Sequence, residues 1–279
     1  MKLSSAIVGE QAGPLEASID ARWLMAYSAG LGETDPRCYD TERGVLAHPL
    51  FPVCYEWPVA QPLRALPALK PLFPQLLHAQ HDLRIHRAPR AGDRLRTSAR
   101  IIAVTQRKPG AFVVFRFEAR DAAGQAVTTT DFGALYRGVT VERGDRALEE
   151  VADPAPFEAT FPEYSKIDIP ANAAHVYTEC ARVWNPIHTD VAVARAAGLP
   201  DIILHGTATL ALAVSRVLRH AGADPRAVSR VSARFAGMVR LPSGLTLRVG
   251  EAAEGKTFVF DATGEDGALV LNDGALQIA

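Results

Sequence analysis

The sequence predicts an α+β fold in which one buried helix, wrapped by a curled antiparallel sheet, occurs twice. Each half of the chain has an early helical segment, an apolar middle and a run of strand-like segments rich in Val, Phe, Thr and Arg. A charged, proline-bearing stretch from Val141 to Tyr164 separates the halves and is predicted to be a linker. We therefore expect one domain over 1–145 and a second over 160–279.

The first half begins with a predicted helix and continues with predicted strands. Residues Ala21–Tyr27 have helical spacing, and Gly30 and Gly32 follow as stop signals. Turn sequences at Arg90–Asp93 and Lys108–Gly110 favour antiparallel pairing of the strands around them. The strands, recognised by alternation or by β-branched and aromatic content, are predicted over Asp82–Arg87, Arg94–Val104, Ala111–Glu118 and Thr128–Tyr136.

The second half repeats this order with two predicted helices. Val191–Ala197 is a short helix that Thr189 or Asp190 can cap, and Gly198 ends it. Leu204–His220 is apolar on nearly every side, which predicts a buried helix. Strands are predicted after it over Val228–Val239, Leu245–Glu251, Lys256–Thr263 and Ala268–Ile278.

Charge and composition exclude several classes of function. A formal net charge of −1 and a pI near 6.7 leave no basic surface for nucleic acid or for an anionic membrane. The three cysteines are unevenly spaced, which predicts free thiols in a reducing compartment. The apolar run at the start is too short for a signal peptide, and Arg216 and Arg219 interrupt the longest candidate membrane span. We therefore expect a cytoplasmic enzyme or binding protein.

One stretch carries the residues expected for chemistry on an acyl thioester. Asn185–Asp190 places His188 in a polar loop, where an imidazole with a pKa of about 6.5 can act as acid or base. Leu204–Thr207 places Gly206 at the start of the buried helix. Unpaired N–H groups and the positive end of the helix dipole stabilise a developing negative charge on a carbonyl oxygen there.

The same stretch resembles a known family. Asn185–Asp190, Ala197–Pro200 and Ile203–Gly206 are similar in order and spacing to the signature of the MaoC-like hydratase/dehydratase branch of the hot-dog superfamily, in particular its two-domain hydratase 2 form. In the first half, Tyr27–Gly32 resembles the opening helix of that family, and Leu77–Asp93 a strand and turn of its degenerate N-terminal hot dog.

The resemblance implies a double hot-dog fold with unequal halves. The N-terminal half would accommodate the acyl chain, and the C-terminal half would add water to a trans-2-enoyl-CoA to give a 3R-hydroxyacyl-CoA, or catalyse the reverse, within fatty acid metabolism. The expected partner is the acyl-CoA thioester, with no nucleic acid or membrane partner. No cofactor is expected, because CoA is part of the substrate. A homodimer is also expected, because hot-dog sheets often pair again.

The resemblance further implies a catalytic pair in a motif of the form Asp-x-Asn-Pro-x-His. The histidine is His188, but the place of the aspartate is held by Val183, and Ala181-Arg182 stands where a Ser-Gly pair is usual. A replacement carboxylate is therefore needed for two-group catalysis. Glu179 is the preferred candidate, with Asp201, Tyr177 and Arg182 as other polar groups nearby.

The remaining residues of this stretch are expected to support the site. Asn185 orders the loop, and Asp190 is expected to be a helix cap in preference to a proton-transfer group. His205 is expected to be held by backbone hydrogen bonds inside the fold. Thr207 and Thr209 could contact substrate or bond back to their own helix. Gly206 could serve as an oxyanion donor, permit close helix–sheet contact, or both.

Three functions from different classes remain open. The first is the acyl-CoA hydratase or dehydratase, and the second is a catalytically degenerate thioester-binding or regulatory protein, which Val183 favours. The third, a hot-dog thioesterase, is disfavoured because Leu204–His220 has no carboxylate on the predicted central helix. A metal site at His78, His81 and His86 is not expected, because no cysteine or carboxylate completes a familiar ligand set.

Overall fold

A computed structural model describes residues 1–151, 161, 163–252 and 256–279 of the chain. Short 3₁₀ turns connect several elements, including one at Pro186–His188. In chain order, the helices and strands of the described residues are β1 (Lys2–Ser4), β2 (Gln11–Ser18), α1 (Ala21–Gly30), α2 (Val53–Arg64), β3 (Leu76–Ile85), β4 (Arg94–Arg107), β5 (Gly110–Arg120), β6 (Ala126–Arg137), β7 (Thr140–Glu142), β8 (Arg146–Ala147), β9 (Glu163–Ile169), α3 (Ala173–Ala181), α4 (Val191–Ala196), α5 (Gly206–Ala221), β10 (Val228–Phe235), β11 (Ser243–Glu251), β12 (Thr257–Gly264) and β13 (Leu269–Ile278).

The chain forms two compact units. The first contains Met1–Ser18, Tyr55–His86 and the chain from Arg94 into the linker, and the second contains Ile19–Cys54, Arg87–Asp93 and the rest of the chain. Helix α1 thus belongs to the second unit by its contacts, although it precedes most of the first unit in sequence. The predicted domains, 1–145 and 160–279, divide the chain by sequence order, and those boundaries stay a prediction.

The strands of the first unit follow the order β2-β4-β5-β6-β3, with antiparallel neighbours. The four predicted strands of the first half are confirmed, and β3 begins earlier than expected, at Leu76. The start of the predicted linker forms two short strands. Strand β7 pairs with β1 in parallel, and β8 pairs with β4. The proline-bearing part of that linker, 153–156, lies outside the described residues.

Helix α2 is one of the elements of the first half that the sequence patterns do not predict, together with β1, β2, β7 and β8. Pro58 and Pro62 lie inside it, and proline normally breaks a helix because it lacks an N–H and clashes with the preceding turn. Val59 and Leu63 are fully buried in the core of the first unit. Burial of this apolar face offsets the free-energy cost of placing prolines in a helix. This stabilisation comes from tertiary packing, so helix propensities read from the local sequence do not predict it.

The second unit repeats the strand order of the first. Its strands run β9-β11-β12-β13-β10, again with antiparallel neighbours, so each strand has a counterpart in β2-β4-β5-β6-β3. The predicted helices α4 and α5 and the four predicted strands are confirmed, although β10 ends at Phe235 and not at Val239. The buried face of α5 includes Leu210, Ala211, Val214 and Val217. The predicted twofold repetition of helix and sheet is confirmed at the level of topology.

Cys38, Cys54 and Cys180 are free thiols, as predicted. No helix of the described chain is both long and apolar enough to span a membrane.

Candidate active site

The predicted site residues lie on consecutive elements of the second unit: α3, the turn Pro186–His188, α4 and the start of α5. Helix α3 ends at Arg182, which adopts the left-handed conformation with φ 58° and ψ 36°. Glycine is usual at this position, because a side chain is strained there. The guanidinium of Arg182 lies over the ring of Trp23, 4.2 Å from its centroid, in a cation–π contact.

Val183 occupies the place of the expected aspartate and is 4% exposed. Its N–H donates to the carbonyl of Thr178 over 3.2 Å, and its own carbonyl lies 3.3 Å from Nε2 of His205. The backbone at this position is therefore tied into the site, whereas the side chain brings only methyl groups.

His188 is buried at the end of the Pro186–His188 turn. Its Nδ1 lies 2.8 Å from the carbonyl of Ile203. A carbonyl can only accept, so Nδ1 carries the hydrogen and Nε2 is the basic nitrogen of the neutral ring. The loop that leads into α5 thus selects the tautomer of His188 that could take a proton at Nε2.

His205 lies inside the fold beside a backbone carbonyl, and its structural role stays a prediction. It is 3% exposed, and its Nε2 lies 3.3 Å from both the Val183 carbonyl and Oγ1 of Thr178. Nδ1 is buried and has no hydrogen-bond partner among the described residues. Burial holds the pKa of His205 well below its usual value, and the neighbouring His188 lowers this pKa further, although the bond to Val183 opposes both. His205 is therefore neutral near pH 7.

Gly206 begins α5, and the residue before it, His205, makes no side-chain capping bond. The first N–H groups of a helix have no acceptor within the helix, so those of α5 remain able to bind a carbonyl oxygen. A Cβ on Gly206 would lie 3.2 Å from two ring atoms of Phe235 on β10. The glycine therefore permits close helix–sheet contact.

Asp190 caps α4, as expected. Its Oδ1 accepts from the N–H groups of Ala192, at 2.8 Å, and Val193, at 3.4 Å. Thr209 also behaves as expected, because its hydroxyl donates to the carbonyl of His205 one turn earlier. Thr207 does not bond back in this way, since its Oγ1 accepts from the hydroxyl of Tyr177 over 3.1 Å.

A cavity of about 270 Å³ opens beside the His188 turn. Two predicted site residues, Glu179 and Asn185, line it together. Glu179 is exposed on the last turn of α3, so its carboxylate can reach a ligand in the cavity. The full lining consists of His175, Thr178, Glu179, Trp184, Asn185, Pro186 and Thr189.

Sequence reasoning missed two contributors to this region. The sequence predicts only a helix for Tyr27 and gives no site role to Thr178, yet the hydroxyl of Tyr27 lies 3.4 Å from that of Tyr177, and Thr178 contacts His205. No local signal marks either residue, because both act through segments distant in sequence. As for metal, the described residues contain no group of three or more His, Cys, Asp or Glu side chains placed to hold an ion.

Family comparisons cover both halves of the chain. Residues 160–269 match the family described as "MaoC like domain", and residues 6–130 match "FAS1-like, dehydratase domain region". A Dictyostelium discoideum protein described as "Probable enoyl-CoA hydratase 2" is 23% identical over 205 residues, which are 73% of this chain and 70% of that protein.

Solved structures confirm the fold. The crystal structure of a MaoC-like dehydratase from Phytophthora capsici has a TM-score of 0.83 at 20% identity and covers 97% of this chain and 96% of that chain. A Mycobacterium tuberculosis protein with a double hot-dog fold has a TM-score of 0.63 at 15% identity, over 96% of this chain and 95% of that chain. The predicted α+β double hot-dog is therefore confirmed. Together, the two family matches and the similar proteins support a tandem hot-dog of the MaoC-like, hydratase 2 type for this chain.

Proposed function

We propose that the protein is an acyl-CoA hydratase/dehydratase acting on a 2-enoyl-CoA or the corresponding 3-hydroxyacyl-CoA. One observation carries the proposal. The short loop Ile203–Gly206 both accepts the Nδ1 hydrogen of His188 and leads directly into the uncapped first turn of α5. The same four residues therefore orient the basic nitrogen of His188 and carry the backbone N–H of Gly206, which can donate to a carbonyl oxygen.

In the hydration direction, the oxygen of water bonds to the β-carbon while its proton passes to Nε2 of His188. The π electrons move toward the thioester carbonyl, whose developing negative charge is stabilised by the N–H of Gly206. A proton then reaches the α-carbon from a protonated acid, and exchange with solvent removes the proton from Nε2 of His188 and returns one to the acid. Glu179 is our candidate for this second group, because its exposed carboxylate lines the cavity beside the turn.

The alternative function is a thioester-binding protein that has lost catalysis. Buried Val183, at the place of the usual aspartate, is the observation that favours it. General acid–base catalysis by a second group normally contributes about 10²- to 10⁴-fold, so its loss would leave a slow enzyme or none.

The test is a spectrophotometric assay of the full chain with 2-enoyl-CoA substrates from crotonyl to decenoyl. We expect the enoyl absorbance to fall, and His188→Ala to lower kcat by about 10²-fold or more. The matched control is His220→Ala, an exposed histidine near the end of α5, which should keep wild-type kcat. Tight binding of the thioesters without any loss of absorbance would instead establish the binding protein.

A further inference from the structure

A row of buried hydroxyl groups joins α1 to the first turn of α5 within the second unit. The hydroxyl of Tyr27 donates to the carbonyl of Leu50 over 3.1 Å, and that of Tyr177 donates to Oγ1 of Thr207 over 3.1 Å. The two phenolic oxygens lie 3.4 Å apart, and the rings meet edge to face. Each phenol has one hydrogen and donates it to another group, so the two tyrosines contact each other through their rings and not through a hydrogen bond.

The hydroxyls are not needed for packing. Tyr27 and Tyr177 are each 1% exposed, so phenylalanine would bury the same rings without the cost of desolvating a hydroxyl. The placement of Thr207 shows what the hydroxyls achieve. Thr209 bonds to its own helix, but the Thr207 hydroxyl is held by a residue of another helix, directly after Gly206.

The segment His48–Leu50 anchors this row and also contacts α5 farther along. The N–H of Leu50 donates to Nδ1 of His48 over 3.0 Å, so the hydrogen of the neutral ring is on Nε2. Nε2 of His48 lies 3.1 Å from Oγ of Ser215 and can donate to it. Helix α5 is therefore held from one buried segment at two places, at Ser215 directly and at Thr207 through the tyrosines.

Helix α3 holds the same end of α5 through two adjacent residues. Tyr177 bonds to Thr207, and Thr178 contacts His205, the residue that precedes the helix. Movement of the first turn of α5 would break both contacts. The direction of the Gly206 N–H thus depends on side chains of α3.

We propose that Tyr27 and Tyr177 are positioning residues that fix the first turn of α5, so that the N–H of Gly206 points at the thioester carbonyl. This inference rests on the proposed function for the role of that N–H. The two hydroxyls act through Thr207 and transfer no proton. An oxyanion donor displaced by a fraction of an ångström stabilises the transition state less, while substrate binding elsewhere is unaffected.

The kinetic test compares Tyr177→Phe and Tyr27→Phe with wild type. We expect kcat to fall about tenfold or more for Tyr177→Phe, and less for Tyr27→Phe, with KM changed by less than about twofold. Burial raises the pKa of both phenols above the ordinary value, so they remain donors at neutral pH and the pH–rate profile should keep its shape. Thr207→Ser should retain activity, and Thr207→Val should lose it as Tyr177→Phe does.

The matched control is Tyr55→Phe. Tyr55 is a buried tyrosine of the first unit whose hydroxyl lies 3.0 Å from Oγ1 of Thr128, so its substitution removes the same kind of bond away from the site. If Tyr55→Phe and Tyr177→Phe lower kcat to a similar extent, the loss comes from general destabilisation of the protein, and the proposal is overturned.

A spectroscopic measurement separates this proposal from the proposed function. Infrared spectra of crotonyl-CoA, isotopically labelled at the carbonyl and bound to the protein, report polarisation of the C=O bond. We expect a shift to lower frequency with wild type and Tyr55→Phe, and a smaller shift with Tyr177→Phe. A shift without hydration would refute the proposed function and leave the positioning role intact. A wild-type chain that binds no thioester, or binds it without a shift, would overturn the positioning role, as would an unchanged band and kcat in Tyr177→Phe.

Discussion

The imidazole rings of His188 and His205 are stacked, with centroids 3.7 Å apart and planes inclined by 27°. Each ring is also tied to a backbone carbonyl, His188 to that of Ile203 and His205 to that of Val183. The two carbonyls belong to different segments of the site. The stacked pair therefore connects the two segments of the site.

The first prediction concerns His205 and acid stability. Its native pKa is depressed below the usual 6.5, so between these two values the unfolded chain binds a proton that the native chain does not. Stability is then lost as pH falls below about 6.5, by up to about 1.4 kcal/mol per pH unit for this one group. We expect His205→Phe, which keeps a stacking ring, to reduce this slope in urea unfolding measured from pH 7.5 to pH 4.5.

The control for this prediction is His220→Gln at an exposed position, which should leave the slope unchanged. His205→Phe also leaves the buried Val183 carbonyl without its partner, at a cost of about 1 to 3 kcal/mol at every pH. An unchanged pH slope together with that constant loss would show that His205 titrates normally in the native state.

The second prediction concerns Glu179. If it is the second proton-transfer group, Glu179→Gln should lower kcat by about 10²-fold or more and remove one limb of the pH–rate profile, with little change in stability. Steady-state kinetics over pH 5 to pH 9 provide the measurement. Asp201→Asn is the comparison, because Asp201 is the other carboxylate near the motif and is engaged with the N–H of Ile202. Loss of activity in Asp201→Asn and not in Glu179→Gln would reverse the assignment.

The third prediction separates a cap from an acid at Asp190. Asp190→Ala removes the acceptor for Ala192 and Val193 and should lower the free energy of unfolding by about 1 kcal/mol with kcat unchanged. Asp190→Asn can still accept these bonds and should restore stability. A large fall in kcat in both variants, with stability preserved in Asp190→Asn, would instead assign a proton-transfer role.

The fourth prediction concerns Glu56, a carboxyl on α2 that is 4% exposed. Burial raises its pKa from the usual 4.5 to about 7, against the opposing effect of the 2.6 Å bond donated by Thr130. Below pH 4.5 both native and unfolded states hold the proton. Between 4.5 and 7 only the native state does, so Glu56 destabilises the fold increasingly as pH rises, by up to about 1.4 kcal/mol per pH unit.

Glu56→Gln is neutral at every pH and can still accept from Thr130. We expect its stability relative to wild type to increase as pH rises from 4.5 to 7 and to level off above. Glu16→Gln, at an exposed carboxylate on β2, should show no such trend in the same urea titrations. A difference between Glu56→Gln and wild type that does not vary with pH would mean that Glu56 ionises normally in the native state.

Much of the fold follows from local patterns. The predicted strands were found because β-branched and aromatic residues alternate along them, and α5 because its apolar residues surround it. Helix α2 was missed because Pro58 and Pro62 argue against a helix, and only the burial of Val59 and Leu63 overrides them. From the sequence, neighbouring strands could be predicted to be antiparallel. Their order and register could not be predicted, because these depend on pairing between distant segments.

At the site, residue identity and spacing are enough to predict which groups are present: an imidazole at 188, a glycine at 206, and valine where a carboxylate is usual. How these groups act depends on contacts that form when the chain folds. The tautomer of His188 depends on Ile203, the neutrality of His205 on its burial, and the placement of Thr207 on Tyr177. Each of these is a contact between segments separated along the chain, so its distance and its desolvation exist only once the unit has folded.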